Sequence, residues 1–353
     1  RRDRLSTYGY ARPTAPALDA LAADAPLFTR AGSPAQWTIP AHGSLFTGTY
    51  PAAHQLTQAN SRLSDAQAAL AEILQVGDYH TSAFCNNPLV GALDNGLQRG
   101  FSEFYNYASA VPNRPSDAER LAAWRRFKNW FRPYARRIGN QFAQSDLLFR
   151  VSMNPLLTPI WTRGINFKGS TARSIDDLIA YWDAYHAGGA AQPLFTYVNL
   201  MGAHLPYHPP RGWLDRLAPD LRGDQRALSF MRRFNADGAA WASPPDQPFA
   251  DWEQATLNGF YDAEIACQDA QLGRLLDHLR RRGDLDRTVV IIAADHGEGH
   301  GEHDLFGHGF NVHQELVHVP LIIRWPERFP AGQPCATTIS TRRLFHTILD
   351  LAE

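Results

Sequence analysis

The chain has 353 residues, of which 44% are hydrophobic, 11% aromatic and 20% charged, the composition of an ordinary globular protein. Thirty-four Lys and Arg stand against 35 Asp and Glu, a net charge of -1 that excludes a general polyanion binder, so no nucleic-acid partner is expected. Mean hydropathy is -0.35, and no apolar run approaches the roughly 20 residues that cross a bilayer, so no membrane segment is expected within this chain.

Taken in chain order, Leu18 to Ala25 reads as a short amphipathic helix and Leu27 to Arg30 as a strand. Ser64 to Gln75 opens on an N-cap-type Ser and carries apolar residues at helical spacing. Gly77 ends it, and Tyr79 to Phe84 is the next strand, the rhythm of a parallel sheet. From Ser109 to Arg163 the pattern weakens into Trp-, Arg- and Pro-rich sequence, a cap or insertion over about 105–165. A helix follows over Ala172 to Ala187, then a buried strand over Pro193 to Leu200. The polar stretch around 205–250 reads as a surface excursion, and Trp252 to Arg282 as a long helix or helix pair. Thr288 to Ala294 is a continuous β-branched run of the kind buried on both faces, and Val319 to Trp325 is a further strand. The last residues, Leu344 to Glu353, form a helical pattern without a cap. The opening Arg1-Arg2-Asp3-Arg4-Leu5 holds neither Met nor an apolar leader, so both ends read as cut from a longer chain. The compartment stays open: periplasmic, extracellular and membrane-tethered settings of a longer protein all suit this chain, and its oligomeric state is not legible.

In open parallel sheets ligands bind beyond the carboxyl ends of strands. The strongest strand ends in Asp295-His296-Gly297-Glu298, followed by His300, Glu302, His303, Asp304 and His308. Carboxylates and imidazoles at a strand tip suit a divalent cation; the plain alternative is a polar surface loop. In Trp37-Thr38-Ile39-Pro40-Ala41-His42-Gly43, Pro40 fits a first helical turn, so Thr38 sits at a helix N-terminus, where an anion is stabilised. His42 follows one turn on. A hydroxyl, an anion pocket and an imidazole make a group-transfer site, although a capping Thr would look the same. His204, in Gly202-Ala203-His204, leaves another strand and is a candidate for the same crevice or a structural loop His.

These pieces, in this order, resemble the sulfatase family of the alkaline phosphatase superfamily. Tyr8-Gly9-Tyr10 and Leu18-Asp19-Ala20-Leu21-Ala22 resemble its opening, and Trp37 to Pro51 its nucleophile block. Tyr261-Asp262-Ala263-Glu264-Ile265 resembles the helix before its metal strand, and Asp295 to Gly309 with Val319 to Arg324 its second metal block. The resemblance implies an α/β fold with a mixed, mostly parallel sheet flanked by helices on both faces, and one catalytic domain spanning 1–353. It implies Thr38 as nucleophile, Asp295, His296 and the Thr38 oxygen as ligands of a divalent cation (Ca, Mg or Mn), and His204 and His308 against the transferred group. His308 stands where many members have Lys; His303 is a further substrate-binding candidate, and His42, His204 and His308 are candidate proton donors. The family's first metal carboxylates fall just before Arg1, which implies that part of the metal site precedes this chain. Well-known sulfatases place Cys or Ser, followed by x-Pro-x-Arg, where Thr38-Ile39-Pro40-Ala41-His42 stands here. Thr cannot be oxidised to formylglycine, so no formylglycine is expected. The implied function is metal-dependent hydrolysis of a sulfate or phosphate ester, on a small-molecule, glycan or lipid substrate. The alternatives are a phosphoglycerol transferase or phosphodiesterase, and a non-catalytic binding protein on the same scaffold.

Overall fold

A computed structural model describes residues 1–352 except 110, 116–121, 165, 242–243, 246 and 330, so parts of the segments 105–165 and 205–250, and Glu353, lie outside the described residues. The chain forms two compact units, each assembled from separate stretches. One comprises Arg1–Trp37, Asn154–Thr158 and Gly202–Thr341; the other comprises Thr38–Met153, Pro159–Met201 and Arg342–Glu353.

The first unit carries a four-stranded mixed sheet in the order Pro334–Cys335, Leu27–Phe28, Leu321–Arg324, Val290–Ala293. Val290 pairs with Arg324 and Ala293 with Leu321, antiparallel, while Leu27–Phe28 runs parallel to Pro334–Cys335. The run expected to be buried on both faces is only half-buried over Val290–Ile292, and Ala293 is exposed. Its place explains this: Val290–Ala293 is the outer strand of its sheet, whereas Leu321–Arg324 next to it is buried throughout. Trp252 to Arg282 belongs to one helix, Asp251–Arg282, not a pair; the Glu253 carboxylate accepts from the Ala250 N–H and Gly283 closes it in the left-handed region. The stretch expected as a polar excursion holds helices at Arg211–Leu217 and Gln225–Ala236, the second burying Phe230, Met231 and Phe234.

Two carboxylates of the long helix hold the chain's opening segment. Asp262, fully buried, accepts from Arg4 at 2.9 Å, from Arg12 at 3.0 Å and from the Tyr10 hydroxyl at 2.8 Å. Asp269 accepts from the Ala17 and Leu18 N–H groups, capping the helix Pro16–Ala23 from outside.

The second unit has a parallel three-stranded sheet ordered Glu103–Asn106, His80–Cys85, Leu194–Asn199, with Ser82 opposite Glu103 and His80 opposite Leu194. The middle strand is buried from Thr81 on; Leu194–Asn199, expected to be buried, is the outer strand and half-buried. A helix starts at Leu70, six residues after the expected Ser64. Arg99 anchors this stretch as a turn: its guanidinium donates to the Ser64 and Gln67 carbonyls and grips Glu72, while the Gln67 N–H bonds to the Ser64 carbonyl three residues back. Leu70 and Leu74 pack on Phe345 of the terminal helix Leu344–Ala352. The cap region forms helices Ala122–Gln144 and Asp146–Ser152. All three cysteines are free, and among the described residues no helix is long and apolar enough to cross a membrane.

Asp262→Ala leaves the partly buried Arg4 guanidinium with the Asn258 carbonyl but without its carboxylate and is expected to cost about 1.5–3 kcal/mol in urea unfolding. Burial lifts the Asp269 carboxyl to about 6, against the two N–H groups that lower it. Because this folded pKa lies above the ordinary value of 3.8, the stability linked to the protonated form is complete below about pH 4 and is lost as pH rises through 6. Thermal melts of Asp269→Asn are expected to lack that loss between pH 4 and 7, relative to the parent.

Candidate active site

Two clusters hold the residues singled out from the sequence, one in each unit. In the second unit Thr38 is the first residue of the helix Thr38–Thr47 and is buried, as is nearly all of that helix. Its hydroxyl accepts from the Asn87 amide at 3.4 Å. His42 lies one turn on, and its Nδ1–H donates to the Thr38 carbonyl at 2.8 Å, since a carbonyl only accepts. The Tyr197 hydroxyl donates to His42 Nε2 at 2.6 Å and itself accepts from the Asn199 amide at 3.2 Å. The run Asn199, Tyr197, His42, Thr38 carbonyl thus fixes the first turn from the strand Leu194–Asn199. Below it, His54 accepts the Leu56 N–H at Nδ1, so its Nε2–H donates to the Ser44 hydroxyl. That ring lies so close to Gly43 that a Cβ there would sit 2.6 Å from it, which is why the helix carries glycine at this point.

In the first unit the chain leaves Val290–Ala293 through Asp295, His296 and Gly297. Gly297 donates to the Leu316 carbonyl at 2.7 Å, and a Cβ on it would fall 1.8 Å from the Glu315 carbonyl oxygen, so only glycine lets the loop turn here. Gly299–His300 then pairs antiparallel with Phe306–Gly307, and this small hairpin delivers His308 back beside Glu298. His308 Nδ1 lies 2.6 Å from a Glu298 oxygen. The His296 and His308 rings are 4.4 Å apart, His204 and His308 4.9 Å, and His204 and His296 6.4 Å. Asp295 Oδ2 stands 3.5 Å from His296 Nε2.

The electrostatics follow from burial. Burial pushes the His204 imidazole down to about 4, helped by His308, and lowers His296 against the pull of Asp295. Burial would raise the Glu298 carboxyl, but His308 and then the other two imidazoles hold it well below the usual carboxylate range. Burial likewise works against a charged His308, and Glu298 outweighs it, so His308 lies above the ordinary imidazole value. The cluster is therefore a buried carboxylate beside one imidazole that holds its proton more tightly than usual and two that hold it less tightly.

Its chemistry fits a divalent cation. His204 Nδ1 donates to the Leu205 carbonyl at 2.6 Å and His296 Nδ1 to the Gly297 carbonyl at 2.7 Å, which leaves the lone pair of each neutral ring on Nε2. Pinning one ring nitrogen on a carbonyl is how ligating imidazoles are oriented. One ligand atom each from His204, Glu298 and His308 also lies within 4.8 Å of the others.

Of the residues singled out from the sequence, Asp295, His296, His204 and His308 come together in the first unit, and Thr38 and His42 in the second. His303 stands apart from the cluster: it is half exposed, stacked 3.8 Å from His313, with Glu315 at 3.7 Å. His300 is a core residue held by the Tyr207 hydroxyl and Asn258. Sequence reasoning missed Glu298 as a site residue, although it ends the run Asp295-His296-Gly297-Glu298; a charged residue between two glycines was the available signal. It also missed Tyr197, Asn199 and Asn87, ordinary strand and loop residues.

Fold and cluster together define an α/β protein of the alkaline-phosphatase kind, with mixed helix and sheet, parallel strands and no barrel among the described residues. The sequence pattern of the family described as Sulfatase matches residues 1–353, and the chain belongs to that family. Arylsulfatase K of Bos taurus is 26% identical over 217 residues, covering 57% of this chain and 38% of that protein. N-acetylglucosamine-6-O-sulfatase of Bacteroides thetaiotaomicron is 33% identical over 101 residues, 29% of this chain and 18% of that protein. The matched part thus spans well under half of either relative. Among solved structures, the phosphonate monoester hydrolase of Agrobacterium radiobacter superposes with a TM-score of 0.67 at 24% identity, over 100% of this chain and 71% of that one.

Glu298→Ala leaves the half-buried His308 without its charged hydrogen-bond partner and is expected to cost about 1.5–3 kcal/mol in denaturant unfolding. Tyr197→Phe removes the donor to His42 Nε2 and is expected to cost about 1–3 kcal/mol in the same measurement.

Proposed function

We propose that the protein is a metal-dependent hydrolase of sulfate or phosphate esters that works through Thr38. The observation that carries this reading is the convergence of Asp295, His296, His204, Glu298 and His308 at one strand exit. The residues that would hold a divalent cation are Asp295 and His296, with the Thr38 hydroxyl as the further ligand that family membership implies. A bound cation supplies positive charge to the oxygens of the group being transferred and acidifies a hydroxyl beside it. Of Ca, Mg and Mn, the mixed imidazole and carboxylate donors favour Mn, since Ca and Mg prefer oxygen alone.

The Thr38 oxygen attacks sulfur or phosphorus and gives its proton to solvent, the bond to the ester oxygen breaks and that oxygen takes a proton from His308, and water then attacks the Thr38 ester, releasing the Thr38 hydroxyl and free sulfate or phosphate. Thr38 sits at a helix N-terminus, whose N–H groups favour an anion there. His308, paired with Glu298, supplies the cation that Lys supplies in many family members. We assign proton delivery to His308, since His204 holds its proton weakly and its Nε2 carries a lone pair. Both ring nitrogens of His42 are engaged, so His42 positions the turn that carries Thr38. The names of the relatives, an arylsulfatase and a glucosamine sulfatase, support a sulfate ester on an aromatic or sugar alcohol. Thr at the nucleophile position supports the second reading, phosphate mono- or diester cleavage or phosphoglycerol transfer. A Thr ester lacks the collapse to an aldehyde that formylglycine offers, and must be broken by direct attack.

The test is a panel of aryl sulfate, phosphate monoester and phosphodiester with Mg, Mn or Ca, on the full-length protein. Thr38→Ala is expected to lower kcat by about a thousandfold or more with the melting temperature nearly unchanged. Full activity in Thr38→Ala overturns the nucleophile. Chelation is expected to abolish turnover and Mn to restore it, while Asp295→Ala together with His296→Ala retains no metal by elemental analysis after dialysis.

A further inference from the structure

The helix Ala122–Gln144 is amphipathic in an unusual sense. Arg132 donates to the Asn113 side chain at 3.2 Å, and Arg136 lies 3.6 Å from Asp94 and donates to the Leu93 carbonyl. Asn140, one further turn along, accepts from the Asp94 N–H. The polar face, with residues four apart, is therefore the one that packs on the protein. The opposite face carries Phe127, Trp130, Tyr134 and Ile138, exposed by 49%, 62%, 53% and 51%. At 100° per residue these four fall within one apolar stripe. The next helix, Asp146–Ser152, also exposes Leu147 and Val151, by 71% and 47%. Contiguous apolar surface of this extent on a soluble protein marks a contact.

Charge says what the contact is. Between residues 122 and 164 the sequence holds eight Lys and Arg against Asp146 alone, in a chain whose net charge is -1. Arg126, four residues before Trp130, and Arg137, seven after it, are exposed and line one edge of the stripe. We propose that this helix pair lies in the surface of an anionic lipid bilayer, its aromatic and aliphatic stripe among the acyl chains and its arginines among anionic headgroups. Aromatic residues on an apolar face edged by Arg, in a helix too polar to span, suit the interface. A second copy of this chain would bring one strongly basic segment against another, which is repulsive. A nucleic acid would use the arginines and the aromatic rings but gains nothing from Ile138, Leu147 and Val151.

The experiment is flotation of the full-length protein with vesicles of phosphatidylcholine alone or mixed with phosphatidylglycerol, at low and high salt. Binding is expected on the phosphatidylglycerol vesicles and weakened by salt. Arg126→Glu with Arg137→Glu, and separately Trp130→Ser with Ile138→Ser, are each expected to weaken it roughly tenfold or more. These side chains are exposed, so both variants are expected to melt with the parent and to turn over a soluble ester at the parent rate. Lack of flotation by the folded parent, or parent-like flotation by both variants, overturns the proposal. Self-association in buffer that Trp130→Ser with Ile138→Ser abolishes, without any vesicle binding, assigns the face to a second copy. Retention on an oligonucleotide with no vesicle binding assigns it to nucleic acid.

Discussion

A carboxylate buried without a partner is driven to its neutral form, and an imidazole buried alone loses its proton. Glu298 and His308 escape both outcomes only by meeting, and the loop that brings them together depends on that pair. Gly297 has to turn under the Glu315 carbonyl, and Gly299–His300 has to pair with Phe306–Gly307, for the 2.6 Å contact to form. Once Glu298 is held as an anion, it shares its charge with His204 and His296 and keeps three imidazoles within 4.4–6.4 Å of one another. Without it, these rings would be a repulsive cluster whenever more than one took a proton. The pair therefore shapes the strand exit and its proton affinities, one tightly protonated imidazole beside two weakly protonated ones.

The same logic of outside partners explains what was and was not legible in the sequence. The long helix Asp251–Arg282 could be read because its signals are local: Glu253 reaching back to Ala250, helix formers throughout, and Gly283 at the end. Ser64 carries an equally good local signal, and the helix nevertheless starts at Leu70, with Arg99 anchoring the Ser64 and Gln67 carbonyls in a turn from 35 and 32 residues away. The motif Asp295-His296 marked the site, but Glu298 gained its importance from burial by a hairpin that no periodicity announces. Thr38 and His42 were legible from one-turn spacing, while Tyr197 and Asn199, which fix His42, were hidden in a strand that reads as ordinary core. Local rules locate the candidate groups; the groups that position them arrive through the tertiary fold.

Half-burial of Val290–Ile292 and of Leu194–Asn199 has the same origin. A β-branched or aromatic run specifies a strand, and its neighbours in the sheet decide how deeply it is covered. Both runs end up as outer strands, and the strands beside them, Leu321–Arg324 and Thr81–Cys85, take the buried places.

A net charge of -1 excluded a strongly basic surface only on the assumption that charge is evenly spread. It is not. The segment 122–164 concentrates eight basic residues against one acidic one, and the remainder of the chain is acidic in compensation. Trp130 and its neighbours belong to the segment read as a cap or insertion, and the helix presents them outward while docking through Arg132 and Arg136. That inversion costs exposed apolar surface, which folding alone gives no reason to keep. A surface that folding does not require, edged by the exposed Arg126 and Arg137, has its physical reason in what it touches, and an anionic bilayer is the partner that satisfies the apolar stripe and the charge together.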